Sequence, residues 1–366
     1  MISTPGLDLA RRFYADAVAP LVAETGVPHA AALLGSGSEV LGFDDVVSTD
    51  HNFGPRLQLF LPEGSDPAPV EAALHKLPQE FGGYPVRYAQ ADVPGAQPRH
   101  HVEIVAAPEF FRREIALDPA DGMRLADWLL TPTQKLAALT AGAVFADPDG
   151  ELSRRRAALR WYPDDVWRYV LAAAWLKVAQ EEAFVGRTGG VGDECGSAVV
   201  GGRLVRELMR LAFLVERRWA PYNKWLGTAF ARLPLAARVG PHLDAALTAR
   251  GWRDREAAVC AAAAELAAAT NALGLAPEVD PAPRQFFGRD VRVLDAGRFV
   301  PALTGAVTDP AVRAHTERQG RRHDTVGSLT GAIDQVVDST DVLSSPRRCR
   351  AAAALLELGD CGQELS

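Results

Sequence analysis

The chain has few cysteines and few lysines, no long apolar run and no block of like charge, and each shortage excludes a class of protein. Cys195, Cys260, Cys349 and Cys361 are the only four cysteines in 366 residues. They form no C-x-x-C pair and have no histidine at zinc-ligand spacing, which excludes a disulfide scaffold and a zinc ribbon. Reduced thiols in a cytoplasmic protein are expected. The most apolar window, Ala257 to Ala276, is mostly alanine and is broken by Glu265 and Asn271, whereas a membrane span needs about 20 strongly apolar residues. A packed helix is predicted there, with no membrane partner. Asp8, Arg11 and Arg12 interrupt the apolar stretch that a signal peptide requires, so export is not expected. A net charge of -7 denies the surface the basic field that attracts phosphate backbones, so no nucleic-acid partner is expected.

Hydrophobic residues make up 48% and charged residues 23%, the balance of a chain that buries enough apolar surface to offset its ordering entropy. Its length favours two domains of roughly 150 to 200 residues. Arginine outnumbers lysine 35 to 4, so each retained lysine is informative. The first 150 residues mix short apolar runs with Gly and Pro, the pattern of a small α/β domain. A helix is predicted near Leu7–Glu24, with strands at Ala30–Leu34, Arg56–Leu61, Val102–Val105 and Ala143–Ala146, and a further short strand near Val86–Gln90. Beyond Glu151 helices replace strands, at Asp164–Val185, Gly201–Trp219 and Asp254–Ala272. A polar loop is expected over Arg318–Asp324.

The most informative stretch runs from Leu34 to Phe60, where a strand enters the turn Gly35-Ser36-Gly37-Ser38 and an acidic segment, Asp50-His51-Asn52, leads to a second strand. Gly37 and Ser38 allow backbone N–H groups and a hydroxyl close to an anion, which suits a triphosphate. Alternation puts Asp50 and Asn52 on one face, as two oxygen ligands for Mg²⁺. Glu103 is the third metal ligand if its strand neighbours theirs.

This combination resembles the nucleotidyltransferase superfamily that includes kanamycin nucleotidyltransferase. G-S-G-S-E-V-L-G-F-D-D with T-D-H-N-F-G-P-R looks like a bacterial family of uncharacterised two-domain proteins within it. Further matches are Ala141–Gly150, Val191–Ser197 and Tyr222-Asn-Lys-Trp225. The resemblance implies an α+β chain, with a nucleotidyltransferase-like mixed-sheet domain over residues 1–155 and a helical bundle domain over 156–366. It implies Mg²⁺-dependent transfer of a nucleoside monophosphate from an NTP, with ATP expected, to a hydroxyl of a small molecule or protein in a cleft between the domains. One position departs from the family, for Asn52 stands where relatives have a second aspartate. The alternative is therefore a catalytically impaired nucleotide-binding or interaction protein.

Other residues carry two readings each. Glu182 falls on an apolar helix face and is expected to be a general base or half of a buried ion pair, with Glu181 pairing to Lys177. Lys224, beside Tyr222 and Trp225, is a surface cation or a phosphate clamp, and the resemblance places Lys224 and Tyr222 in nucleotide binding. Arg206 and Arg210 are expected to be solvated. Asp44 and Asp45 read as solvated or capping residues. His100 and His101 face opposite ways on a strand, which leaves only His101 with Glu103 for zinc. The glycines at 186, 189, 190, 192 and 196 read as helix termination.

Overall fold

The computed structural model describes residues 5–45, 48, 53–89, 93, 95–321 and 328–358. The architecture is α+β, and the chain divides into two compact units. One is Met1–Met123 with Gln134–Arg160, and the other is Arg124–Thr133 with Trp161–Ser366.

The first unit is built on a mixed sheet of strand order β5-β6-β2-β1-β7. Its strands are β1 (Ala30–Leu33), β2 (Arg56–Leu61), β5 (Arg87–Tyr88), β6 (Arg99–Ala106) and β7 (Ala143–Ala146). The short β3 (Glu80–Phe81) and β4 (Tyr84–Pro85) form a separate hairpin. β1 runs antiparallel to β2 and β7, and β6 runs parallel to β2 with Glu103 opposite Gln58. Alternation along β2 sends Leu57, Leu59 and Leu61 into a core with Phe13, Val22, Val70 and Leu74. Those partners come from α1 (Gly6–Phe13), α2 (Ala19–Ala23) and α3 (Ala68–Leu74). Each such burial stabilises by about 1.5 to 3 kcal/mol. A one-residue slip would replace the leucines with Arg56 and Gln58, so the pattern fixes the register.

The helix predicted over 7–24 is α1 and α2 joined by a π-helical stretch, Tyr14–Val18. The wide turns directly precede Pro20, which has no N–H to donate four residues back. On the other sheet face, α4 (Ala107–Ile115) sets Phe110 edge-on to Phe60 at 5.3 Å between centroids. The helices α6 (Thr133–Thr140) and α7 (Glu151–Ala158) flank β7. Arg156 donates to the carbonyls of Leu139, Thr140 and Ala141, satisfying the end of α6.

The second unit holds α5 (Leu125–Leu130), α8 (Asp164–Glu181), α9 (Phe184–Gly189), α10 (Glu194–Val215), α11 (Leu226–Phe230), α12 (Ala236–Thr248) and α13 (Trp252–Ala272). A hairpin of β8 (Arg284–Gln285) and β9 (Arg292–Val293) follows, then α14 (Phe299–Gly305) and α15 (Pro310–Arg321). Short helices α16 (Ile333–Val336), α17 (Thr340–Leu343) and α18 (Pro346–Ala351) complete it. Trp167, Tyr169 and Trp175 of α8 are fully buried, and Trp175 stacks on Phe299 at 4.5 Å.

Two expectations are corrected here. Gly186 lies inside α9 instead of ending a helix, whereas α9 does end at Gly189 with Gly190 as its cap; a Cβ on Gly189 would overlap Trp252, so that glycine also serves close helix approach. The segment from Arg318 to Arg321 is helical, while residues 322–324 lie outside the described residues. Two buried side chains explain that helix: Tyr169 Oη donates to Gln319 Oε1 at 2.8 Å and lies 3.1 Å from His315 Nε2. Among the described residues no helix is long and apolar enough to cross a membrane.

Candidate functional site

The turn after β1 is fixed from beneath by Gln58. Its Oε1 accepts from the N–H of Leu34 at 3.0 Å and its Nε2 donates to the carbonyl of Leu34 at 3.3 Å. Gly37, at φ +148, occupies a backbone region that favours glycine. Arg56 then closes over the turn from the start of β2. Its Nε donates to Glu39 Oε1 at 2.7 Å, its Nη2 donates to the carbonyl of Ser36 at 2.6 Å, and Nη2 also pairs with Glu39 Oε1. A Cβ on Gly37 would overlap Arg56 Nη2 and lie 2.7 Å from Glu39 Oε2. The glycine is thus required by the guanidinium as well as by backbone geometry.

Tyr88 and His101 extend this polar patch. Their rings stack at 3.8 Å, and His101 Nε2 lies 2.9 Å from the carbonyl of Tyr88. Burial pushes the Tyr88 phenol up to about 12, with Arg56 opposing the shift and Glu39 adding to it. Its hydroxyl is buried without a hydrogen-bond partner among the described residues. Gly54 passes so close under this ring that a Cβ would lie 2.7 Å from it. Burial lowers the pKa of His101, which favours the neutral imidazole.

Glu103 lies on the same sheet face as Gln58, its register partner. Its carboxylate pairs with Arg113 of α4 at 2.5 Å, and both side chains are substantially exposed. An ion pair this open exchanges readily with other partners. Gln58, which ties down the end of β1 before the turn, and Glu103 therefore lie on one face of one sheet. Asp50 and Asn52 lie outside the described residues. No three His, Cys, Asp or Glu side chains come together as a metal site among the described residues.

The remaining candidates belong to the second unit. Glu182 follows the last turn of α8 and is buried, yet among the described residues it has no cationic partner of the kind expected for half of an ion pair. Its two oxygens instead accept the N–H groups of Leu294 and Ala296 at 2.9 and 2.8 Å. Burial pushes its pKa up to about 7, with Asp295 adding to the rise and the two N–H groups opposing it. Lys224 is exposed, with Nζ 4.8 Å from the centroid of the Trp225 ring, and Tyr222 is half-buried just before it.

Three charge expectations are corrected. Lys177 pairs with Glu207 at 3.1 Å, leaving Glu181 to Arg203 at 2.8 Å. Arg206 pairs with Asp338, and Arg210 donates to the carbonyl of Asp334 at 2.8 Å, so neither is merely solvated. Asp44 does cap, accepting the N–H of Gly6 at 2.7 Å. Sequence reasoning passed over Glu39, Arg56 and Tyr88. Two of them were marked by their place, since Glu39 ends the G-S-G-S-E run and Arg56 ends F-G-P-R. Strand alternation sets Arg56 beside Gln58 on the polar face.

Residues 128–226 match a family described as a domain of unknown function (DUF4037). No curated protein matches the chain. Among solved structures, a nucleotidyltransferase-like protein from Exiguobacterium sibiricum aligns over 85% of this chain and 92% of its own, at 11% identity and a TM-score of 0.33. A likeness that distant carries no argument about function.

Proposed function

We propose that the chain binds a nucleoside triphosphate on its first unit and transfers the nucleoside monophosphate to a hydroxyl on a small molecule or protein. The observation that supports this most is the shared sheet face. Gln58, which holds the glycine-serine turn beneath Arg56, shares that face with its register partner Glu103. Gly37 and Ser38 would seat the phosphates through backbone N–H groups and the serine hydroxyl. Asp50, Asn52 and Glu103 would hold Mg²⁺, which when bound offsets phosphate charge and orients the triphosphate. Lys224, with Tyr222 beside it, is assigned to the phosphates as a cation. Glu182 is assigned to accepting the proton of the attacking hydroxyl, for which a pKa near 7 is suited. The remaining work is positioning and charge stabilisation.

The second reading is a binder without turnover, favoured by Asn52, whose amide oxygen can ligate but brings no charge. Titration calorimetry with ATP, with and without Mg²⁺, together with pyrophosphate release, separates the two. Asp50→Ala is expected to abolish the Mg²⁺-dependent part of ATP affinity in a folded protein. Unchanged Mg²⁺ dependence would remove Asp50 from the site. Asn52→Asp is expected to raise Mg²⁺-dependent pyrophosphate release above the parent's if the parent is impaired.

A further inference from the structure

We propose that Arg56 is a phosphate-binding residue of this site and that the Glu39 carboxylate occupies its guanidinium until a triphosphate displaces it. The inference rests on the nucleotide function proposed above and adds a residue pair to it. Arg56 turns the Nε–Nη2 edge of its guanidinium to one oxygen of Glu39, and that edge is the one with which a guanidinium also grips phosphate. Nη2 is held in addition by the carbonyl of Ser36, so the guanidinium stays on the turn when the carboxylate leaves. Gly37 has no side chain where one would separate the guanidinium from the turn backbone. An anion seated on the turn therefore meets Arg56 directly.

The pair is poorly explained as a stabilising contact alone. Both side chains are largely removed from water, at 23% and 10% exposure, and at such a site the desolvation of the ions offsets much of their attraction. The half-buried Tyr88 lies close enough for Arg56 and Glu39 to act on its phenol, which remains protonated at neutral pH. It brings no second negative charge to compete with phosphate. A triphosphate carries more charge than one carboxylate and offers several oxygens to the same fork.

The test measures ATP and inorganic tripolyphosphate affinity by calorimetry on the full chain with Mg²⁺, for the parent, Glu39→Gln and Arg56→Lys. Glu39→Gln keeps the size of the side chain and removes the competing charge, so both ligands should bind roughly 3- to 10-fold more tightly. Arg56→Lys keeps the charge and loses the fork, so both should bind at least about 10-fold more weakly. Weaker binding in both variants, or no change in either, would overturn the displacement. If Arg56→Lys fails to fold, the sign of the Glu39→Gln effect decides alone. Tripolyphosphate binding that shifts oppositely in the two variants, with no ATP binding, would sink the nucleotide function and leave the Arg56 site standing. Absence of both ligands from the parent would sink both.

Discussion

Two buried carboxylates, one in each unit, are held in opposite ways. In the first, Asp118 is met by a two-bond fork from Arg155, both contacts 2.8 Å, with both residues almost fully buried. In the second, Glu182 is equally buried but, among the described residues, is met by backbone N–H groups, those of Leu294 and Ala296 at 2.9 and 2.8 Å. Burial opposes ionisation in each. At Asp118 the fork and the N–H of Ala120 overcome it, and the pKa lies below the usual carboxylate range. At Glu182 two neutral donors do not, and the pKa rises to about 7. The donors differ: a charged fork, which hydrogen-bonds and neutralises at once, offsets the burial of Asp118, whereas neutral backbone N–H groups do not offset that of Glu182.

The sharpest way to break the contrast is to remove the countercharge. Arg155→Ala leaves Asp118 buried without its cation, a change that costs about 3 to 5 kcal/mol. Denaturant unfolding should show that loss, and hydrogen exchange should place it in the first unit. A loss below about 1 kcal/mol would mean that water reaches Asp118 and that the fork is not what holds it.

A smaller effect should come from pH, with opposite signs at the two carboxylates. Asp118 has a depressed pKa, so its stabilisation is present above the unfolded value and is lost as pH falls through the folded one. Glu182 has a raised pKa, so its stabilisation is full below the unfolded value of 4.5 and is lost as pH rises through about 7. That span corresponds to about 3 kcal/mol lost between pH 4.5 and 7. Glu182→Gln has nothing to titrate, and its stability profile should be flatter than the parent's across that window. A parallel profile would show that other groups set the dependence. Glu182→Gln that keeps its stability but loses pyrophosphate release would favour the general base over the structural anchor for the chain after β9.

This contrast also marks where the sequence was legible. Period-two alternation exposed β2, because Leu57, Leu59 and Leu61 had to share a face, and the glycine-serine turn announced the end of β1. The apolar spacing of α8 likewise put Glu182 among buried residues. Its partners were hidden, because backbone N–H groups have no sequence signature and these lie more than 110 residues away. The pairing of Arg56 with Glu39 was hidden for a related reason. In a chain with 35 arginines, one more beside a strand carries no signal until the turn folds under it. His315 and Gln319 were lost because α15 buries a polar face, so periodicity of apolar residues had nothing to report.

The smallest expected change in stability belongs to Lys224, and it tests whether a lone lysine means more than a surface charge. Its side chain is exposed and its nearest organised contact is the face of Trp225, 4.8 Å from the ring centroid. Surface substitutions without buried partners shift stability by no more than about 0.5 kcal/mol. Lys224→Ala should therefore unfold at nearly the parent's denaturant midpoint. Nucleotide affinity is where a phosphate contact would register: losing one charge-assisted bond costs about 1.5 to 3 kcal/mol, roughly one to two decades in Kd. If Lys224 is a phosphate clamp, the loss should appear with ATP and be absent with adenosine, which has no phosphates to meet the ammonium. Calorimetry with both ligands on the same variant makes the comparison internal. Equal losses for the two would assign Lys224 to packing over Trp225, and no loss for either would return it to solvent.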